Sequence, residues 1–103
     1  MTKKKVFISQ PMKDKTDEYI KKEREATLSY LNTIFGEDNY EVIDSFFEGA
    51  PHDAKPLWFL SKSLELLATA DVAFFCRGWE KARGCKIEHE CAVQYDIEVF
   101  HAC

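Results

Sequence analysis

Hydrophobic and polar positions along this chain switch between two periods. After Lys3-Lys4-Lys5, Val6-Phe7-Ile8 is a short β-branched and aromatic run, and Ser9-Gln10-Pro11-Met12 ends it because proline cannot donate to a strand ladder. Thr16, followed by Asp17 and Glu18, starts a helix in which Ile20, Thr27, Leu28, Leu31, Ile34 and Phe35 recur at helical spacing as far as Gly36. Glu37-Asp38-Asn39 reads as a turn and Tyr40 to Ile43 as a second strand. A connection from Asp44 to Pro56 follows, and then Leu57, Leu60, Leu64 and Leu67 mark a second helix that ends against Asp71. Val72 to Cys76 is an unbroken apolar run, the pattern of a parallel strand buried on both faces. Arg77 to Arg83 is a polar, glycine-bearing loop. After Gly84 the spacing is helical again, with Glu88, Cys91, Ala92 and Tyr95 at i, i+3, i+4 and i+7, and Ile97 to Phe100 closes the chain as a last strand.

Strand and helix alternate from one end to the other, which is the order of an α/β domain. The expectation is a doubly wound, mostly parallel sheet of four to five strands with helices on both faces, flavodoxin-like or Rossmann-like, formed as a single domain over residues 1–103. Right-handed crossovers bring every strand-to-helix loop to one edge of such a sheet. Ser9 to Met12, Asp44 to Phe47 and Arg77 to Gly84 then converge around the first turns of the third helix, in the crevice where α/β sheets bind ligands. Asp71 begins its strand, so it falls at the opposite edge and reads as structural.

Composition narrows the partners. A chain of 103 residues holds one modest core, and eight Phe, four Tyr and two Trp give it bulky apolar surface to bury. The net charge of −4 argues against a polymeric nucleic acid, whose recognition rests on clustered Lys and Arg. No apolar segment is long enough to cross a membrane and no signal-peptide core opens the chain, so a cytoplasmic protein with no membrane partner is expected. Of the four cysteines, Cys76 and Cys91 fall at inward positions and no CxxC pair exists. A zinc site from Cys85, His89 and Cys91 would lack a second ligand pair, and no metal, cofactor or disulfide is expected.

Chemistry concentrates at Glu88. Glutamates in a helix's first turns usually do no more than complement the positive end of the helix dipole. Glu88, however, lies at the edge of the inward stripe, and an acid there is unusual because buried Glu is rare. Glu90 is about 200° further round the helix and faces away. In the long connection, Phe46 and Phe47 read as core plugs before a ligand-stacking surface, and His52 as a loop residue before a base. Trp79 is open between stacking on a flat ligand and capping the core.

With these elements placed, KVFISQPM at the first strand, SLELLATADVAFF leading into the third and GWEKARGCKIEHECA across the loop and helix together resemble the nucleoside 2-deoxyribosyltransferase-like superfamily, in particular its short, often phage-encoded members. The resemblance covers nearly the whole chain. It implies that Glu88 is the nucleophile at a sugar's anomeric carbon. It also implies departures: the family's first-strand tyrosine is matched by Phe7, an aspartate of the helix before the third strand by Ser63, and a polar residue six positions before the nucleophile by Ala82. Longer relatives continue into a segment that contacts a neighbouring subunit's site.

The expected function is therefore N-glycosidic bond chemistry, deoxyribosyl transfer or hydrolysis, on a nucleoside or nucleoside monophosphate, with Glu88 attacking carbon. Ser9, Gln10, Met12, Asp44, Gly78, Trp79, Glu80, Arg83 and Gly84 are the expected substrate-binding residues. Arg83 and the amides of Gly84 and Cys85 would hold a 5′-phosphate, and Glu80 is the nearest proton donor in sequence. Two other readings stand beside it. One is a nucleotide-binding module without turnover, consistent with Phe7 and Ser63; the other, resting only on the VFIS strand and a helix-borne glutamate, is a TIR-like NAD-cleaving hydrolase. Phe46, Phe47, Trp58 and Phe59 exceed what one small core absorbs, so a homodimer or larger homo-oligomer is expected, with the second helix in the contact.

Overall fold

The structure, a computed structural model, describes residues 3–11, 15–43 and 52–102. Four strands and three helices follow one another as β1 (Lys4–Ser9), α1 (Asp17–Phe35), β2 (Tyr40–Val42), α2 (Pro56–Leu67), β3 (Val72–Phe75), α3 (Arg83–Gln94) and β4 (Glu98–His101). A single 3-10 turn, Trp79–Lys81, lies between β3 and α3. All strand pairs are parallel and the sheet order is β2-β1-β3-β4. This is a small doubly wound α/β fold, with its change of direction between β1 and β3.

Local chemistry sets the element ends. Thr16 Oγ1 accepts from the Tyr19 amide at 3.1 Å and so caps α1. Gly36, at a φ of 89°, turns the chain out of the helix while its amide still reaches Asn32 O at 2.9 Å. A side chain there would press against Asn39 Nδ2 at 2.8 Å, so both the backbone and the space require glycine. Pro56 occupies the start of α2, where its missing N–H is no loss. At the opposite end of the sheet Asp71 Oδ2 accepts the Lys5 amide at 2.9 Å, the structural role expected of it.

The two sheet faces carry separate cores. Val6, Ile8, Val72, Phe74 and Cys76 pack with Leu31 beneath α1. Phe7, Ala73 and Phe75 pack with Leu67 and Ala92 beneath α2 and α3. One helix on the first face and two on the second is what right-handed crossovers require when β2 lies to one side of β1 and β3 and β4 to the other. Strand alternation then places Ser9 on the same face as Phe7, pointing toward α3.

Several boundaries differ from the pattern-based expectation, beginning with β1, which reaches from Lys4 to Ser9, and β2, which stops at Val42. β3 ends at Phe75, although the Cys76 amide continues the pairing to Ser9 O at 2.9 Å. β4 is shifted one residue, to Glu98–His101, because Asp96 takes a φ of 60° and the Ile97 amide turns back to Ala92 O. Tyr95 is not part of the inward stripe: α3 stops at Gln94, and Tyr95 is 80 % exposed. The stripe that is buried is Cys85, Glu88 and Ala92. Among the described residues no helix is long and apolar enough to cross a membrane.

Candidate active site

β1 and β3 are hydrogen-bonded neighbours whose connections leave in opposite directions, α1 to one face and α3 to the other. The crevice this opens beyond their carboxyl ends is the usual ligand position in doubly wound folds. Ser9, the last residue of β1, pairs in register with Phe75, the last of β3. α3 begins just beyond β3 and lies over it. Glu88 reaches from the second turn of α3 back across to β1, where the Ser9 hydroxyl donates to Glu88 Oε1 at 2.6 Å. The bond is buried, and Glu88 is only 7 % exposed.

The Ser63 hydroxyl, on α2, lies close enough to favour the charged form of the Glu88 carboxyl as well. Burial raises the Glu88 pKa, and the two serine hydroxyls, which favour the charged form, oppose that rise without cancelling it. An O–H···O distance of 2.6 Å is in the range of charge-assisted bonds, each worth roughly 1.5–3 kcal/mol when intact. Cys85 completes the cluster. Burial pushes its thiol pKa up to about 11, against a lowering by the nearby Ser9.

The remaining expected residues scatter around this centre. Gln10 is buried, but it turns to the other side of the sheet, where its Nε2 donates to Ile20 O and Glu23 Oε1, both at 3.0 Å. Gly78 takes a left-handed φ of 88° and starts the 3-10 turn, with nothing near the place a Cβ would occupy. Glu80 is exposed in that turn, and Arg83 is exposed at the start of α3. Ala82 stands at the N-cap of α3, where no side chain caps the first-turn amides. The half-buried Gly84, next in that turn, likewise has open space at its Cα. Glu90 is exposed and accepts from Gln94 Nε2 at 2.9 Å, facing away as its spacing indicates. His52 is exposed. Met12, Asp44, Phe46 and Phe47 lie outside the described residues.

Trp79 caps the core, one of the two roles expected of it, packing on Phe75 with ring centroids 5.7 Å apart. Its indole stacks on His89 with ring centroids 4.0 Å apart and an interplanar angle of 15°. Sequence spacing gave no sign of this pairing. His89 is therefore directed at Trp79 and away from Cys85, and the Cys85, His89, Cys91 set is not assembled. Two concavities lie away from Glu88: one of about 460 Å³ on the α1 side, lined by Tyr19, Glu23, Thr27, Tyr30 and Phe74 among others, and one of about 600 Å³ between the ends of α2 and α3.

Compared with models of known protein families and with curated proteins, the chain matches none of them.

The electrostatics of Glu88 give a stability prediction. A carboxyl whose pKa is raised by folding stabilises the fold while protonated; that contribution is complete below the ordinary value of 4.5 and is lost as pH rises through the raised one. Glu88→Gln keeps an acceptor for Ser9 and removes the buried charge. Its Tm should exceed the wild-type value by a few degrees near about pH 8, with the gap closing toward about pH 4 as Glu88 protonates. Thermal melts of both proteins across that range check this. A Gln variant less stable than wild type throughout would mean that the charged carboxylate is net stabilising.

Proposed function

We propose that the chain carries out N-glycosidic bond chemistry on a nucleoside or nucleoside monophosphate, with Glu88 as the nucleophile. The observation that supports this reading is the buried Ser9–Glu88 hydrogen bond at the sheet's switch point, where doubly wound folds usually take their ligands. A carboxylate with no cationic partner among its contacts keeps its lone pairs available for carbon, and the serine hydroxyls fix its direction. The resemblance of KVFISQPM and of GWEKARGCKIEHECA to the nucleoside 2-deoxyribosyltransferase-like superfamily supports the same assignment.

In this mechanism a Glu88 oxygen bonds to the anomeric carbon as the bond to the base nitrogen breaks, and the bonding pair leaves on the base. The base takes a proton, with Glu80 at the crevice rim as donor. Water or a second base then attacks the anomeric carbon and releases Glu88. The uncapped amides of Gly84 and Cys85, with Arg83 beside them, suit a 5′-phosphate, since a helix N-terminus favours an anion.

A second reading, a nucleotide-binding module without turnover, is favoured by one observation. Phe7, which stands where the resemblance places a tyrosine, is buried in the core beneath α2 and α3 and brings no hydroxyl. In that case Glu88 would accept from a ribose hydroxyl. Cleavage of NAD, the TIR-like alternative, is distinguished simply by adding NAD to the substrate panel.

The test is release of free base from deoxynucleosides, their monophosphates and NAD, followed by chromatography. Base release should rise as pH climbs through the raised pKa of Glu88, because only the carboxylate attacks. Glu88→Ala should abolish it. Ser9→Ala should lower kcat roughly 10- to 100-fold, the equivalent of one charge-assisted bond. No release from any member of the panel, with nucleotides still raising the wild-type Tm, would leave binding alone.

We also propose that the chain works as a homodimer or larger homo-oligomer with α2 in the contact. Leu57 is 72 % exposed and Phe59 40 %, and of the whole helix only Leu67 is fully buried. Light scattering should give at least twice the chain mass, and Leu57→Glu with Phe59→Glu should reduce it to one chain. A wild-type monomer at high micromolar concentration would refute this assembly.

A further inference from the structure

Ser9, Phe75 and His101 are register partners across β1, β3 and β4, so their side chains form one row on the face that α3 covers. α3 straddles the middle of that row. Glu88 reaches the Ser9 end; the next residue, His89, reaches the His101 end, about 10 Å away at two strand spacings. There the Nε2 atoms of His89 and His101 stand 2.9 Å apart. The Trp79 indole covers both imidazoles, parallel to His89 at 4.0 Å and within 27° of His101 at 5.3 Å, while Phe75 meets His89 edge-on at 4.9 Å. Two imidazoles from different elements are thus held tip to tip under an aromatic roof, and the Glu88 chemistry uses neither.

We propose that His89 and His101 form a two-imidazole site for a late first-row divalent ion, Ni²⁺ or Cu²⁺. Imidazole is a preferred donor for both, and both accept cis nitrogen ligands near 90° with water in the other positions. An ion about 2.05 Å from each nitrogen sees two donors 2.9 Å apart at an angle of about 90°, whereas tetrahedral zinc needs its donors about 3.3 Å apart. His101 is exposed, so water reaches the open positions, and the neighbouring Glu90 carboxylate adds favourable charge.

Without the ion, one Nε2–H donates to the other Nε2. The ring centroids, 5.0 Å apart, place the two imidazoles nearly head-on, as that hydrogen bond requires. A shared ion at the ligand distance lies about 45° off the Nε2–Nε2 line at each nitrogen, so both rings turn toward it when it binds. The donating ring moves its proton from Nε2 to Nδ1 through solvent, so a neutral pair binds the ion with no net loss of protons. Bound metal would fasten the middle of α3 to the end of the edge strand β4.

The test is a titration with NiCl₂ at neutral pH, in a Trp58→Phe, Cys91→Ser, Cys103→Ser background that leaves Trp79 as the fluorophore and removes competing thiols. One equivalent of Ni²⁺ should quench Trp79, appear calorimetrically, and raise the Tm. His101→Ala, an exposed position, and separately His89→Ala, should each weaken binding by more than the roughly tenfold that a lost outer-shell partner costs. Zn²⁺ should bind more weakly than Ni²⁺. Absence of Ni²⁺ binding in the background protein would overturn the proposal and leave the pair as a hydrogen bond only, and so would Ni²⁺ binding that both alanine variants retain. Base release by Glu88 is measured separately, so the two proposals fail independently.

Discussion

The buried hydrogen bond from Ser9 to Glu88 constrains everything around it. A carboxylate this far from water is tolerated only with donors in place, and here Ser9 donates a neutral hydroxyl with that of Ser63 close by. To deliver them, β1 must end at Ser9, α3 must cross over β3 at the height of Phe75, and α2 must bring Ser63 alongside. Phe7 and Phe75 fix the strand side of that geometry from the core. The parallel order β2-β1-β3-β4 then sets the carboxylate above the point where the chain's connections diverge. Burial of Glu88 is thus a property of three elements together, and it raises the carboxyl pKa.

Much of this was legible along the chain because the apolar periods are clean. Thr16 and Gly36 bracket α1 as a side-chain cap and a left-handed exit, and Val72 to Cys76 reads as a two-face-buried strand, which the structure places beside β1 as far as Phe75. Glu88 stood out as an acid on an apolar stripe. The stripe ran one step too far, since an i+7 match to Tyr95 cannot see that the helix has already ended. Ser9 could be placed at the crevice from topology, but its bond to Glu88 depends on the height of α3 over the sheet, which no local pattern encodes. The His89–His101 pair was illegible for a sharper reason: a one-residue shift in β4 decides whether His101 is in register with Phe75 at all.

The departures from the deoxyribosyltransferase-like pattern take on a physical form in this arrangement. Phe7 cannot give a hydroxyl, and its ring fills the core under α3. The hydroxyl nearest Glu88 on that same strand face is Ser9, two residues further toward the crevice. Ser63, where an aspartate was expected from the resemblance, places a neutral hydroxyl against Glu88, so the acid is without a second carboxylate whose charge would raise its pKa further. Ala82 leaves the α3 amides uncapped. These residues leave Glu88 a buried acid near the uncapped start of α3.

A covalent role for Glu88 is tested most directly by trapping the glycosyl-enzyme. Incubation with a 2-fluoro-2-deoxyarabinosyl nucleoside or its monophosphate, which slows the second step, should add the mass of one sugar residue to the intact protein. Proteolysis should place that addition on the peptide carrying Glu88, and Glu88→Gln should show none. Base release without any adduct, or an adduct on another side chain, would contradict a nucleophilic Glu88.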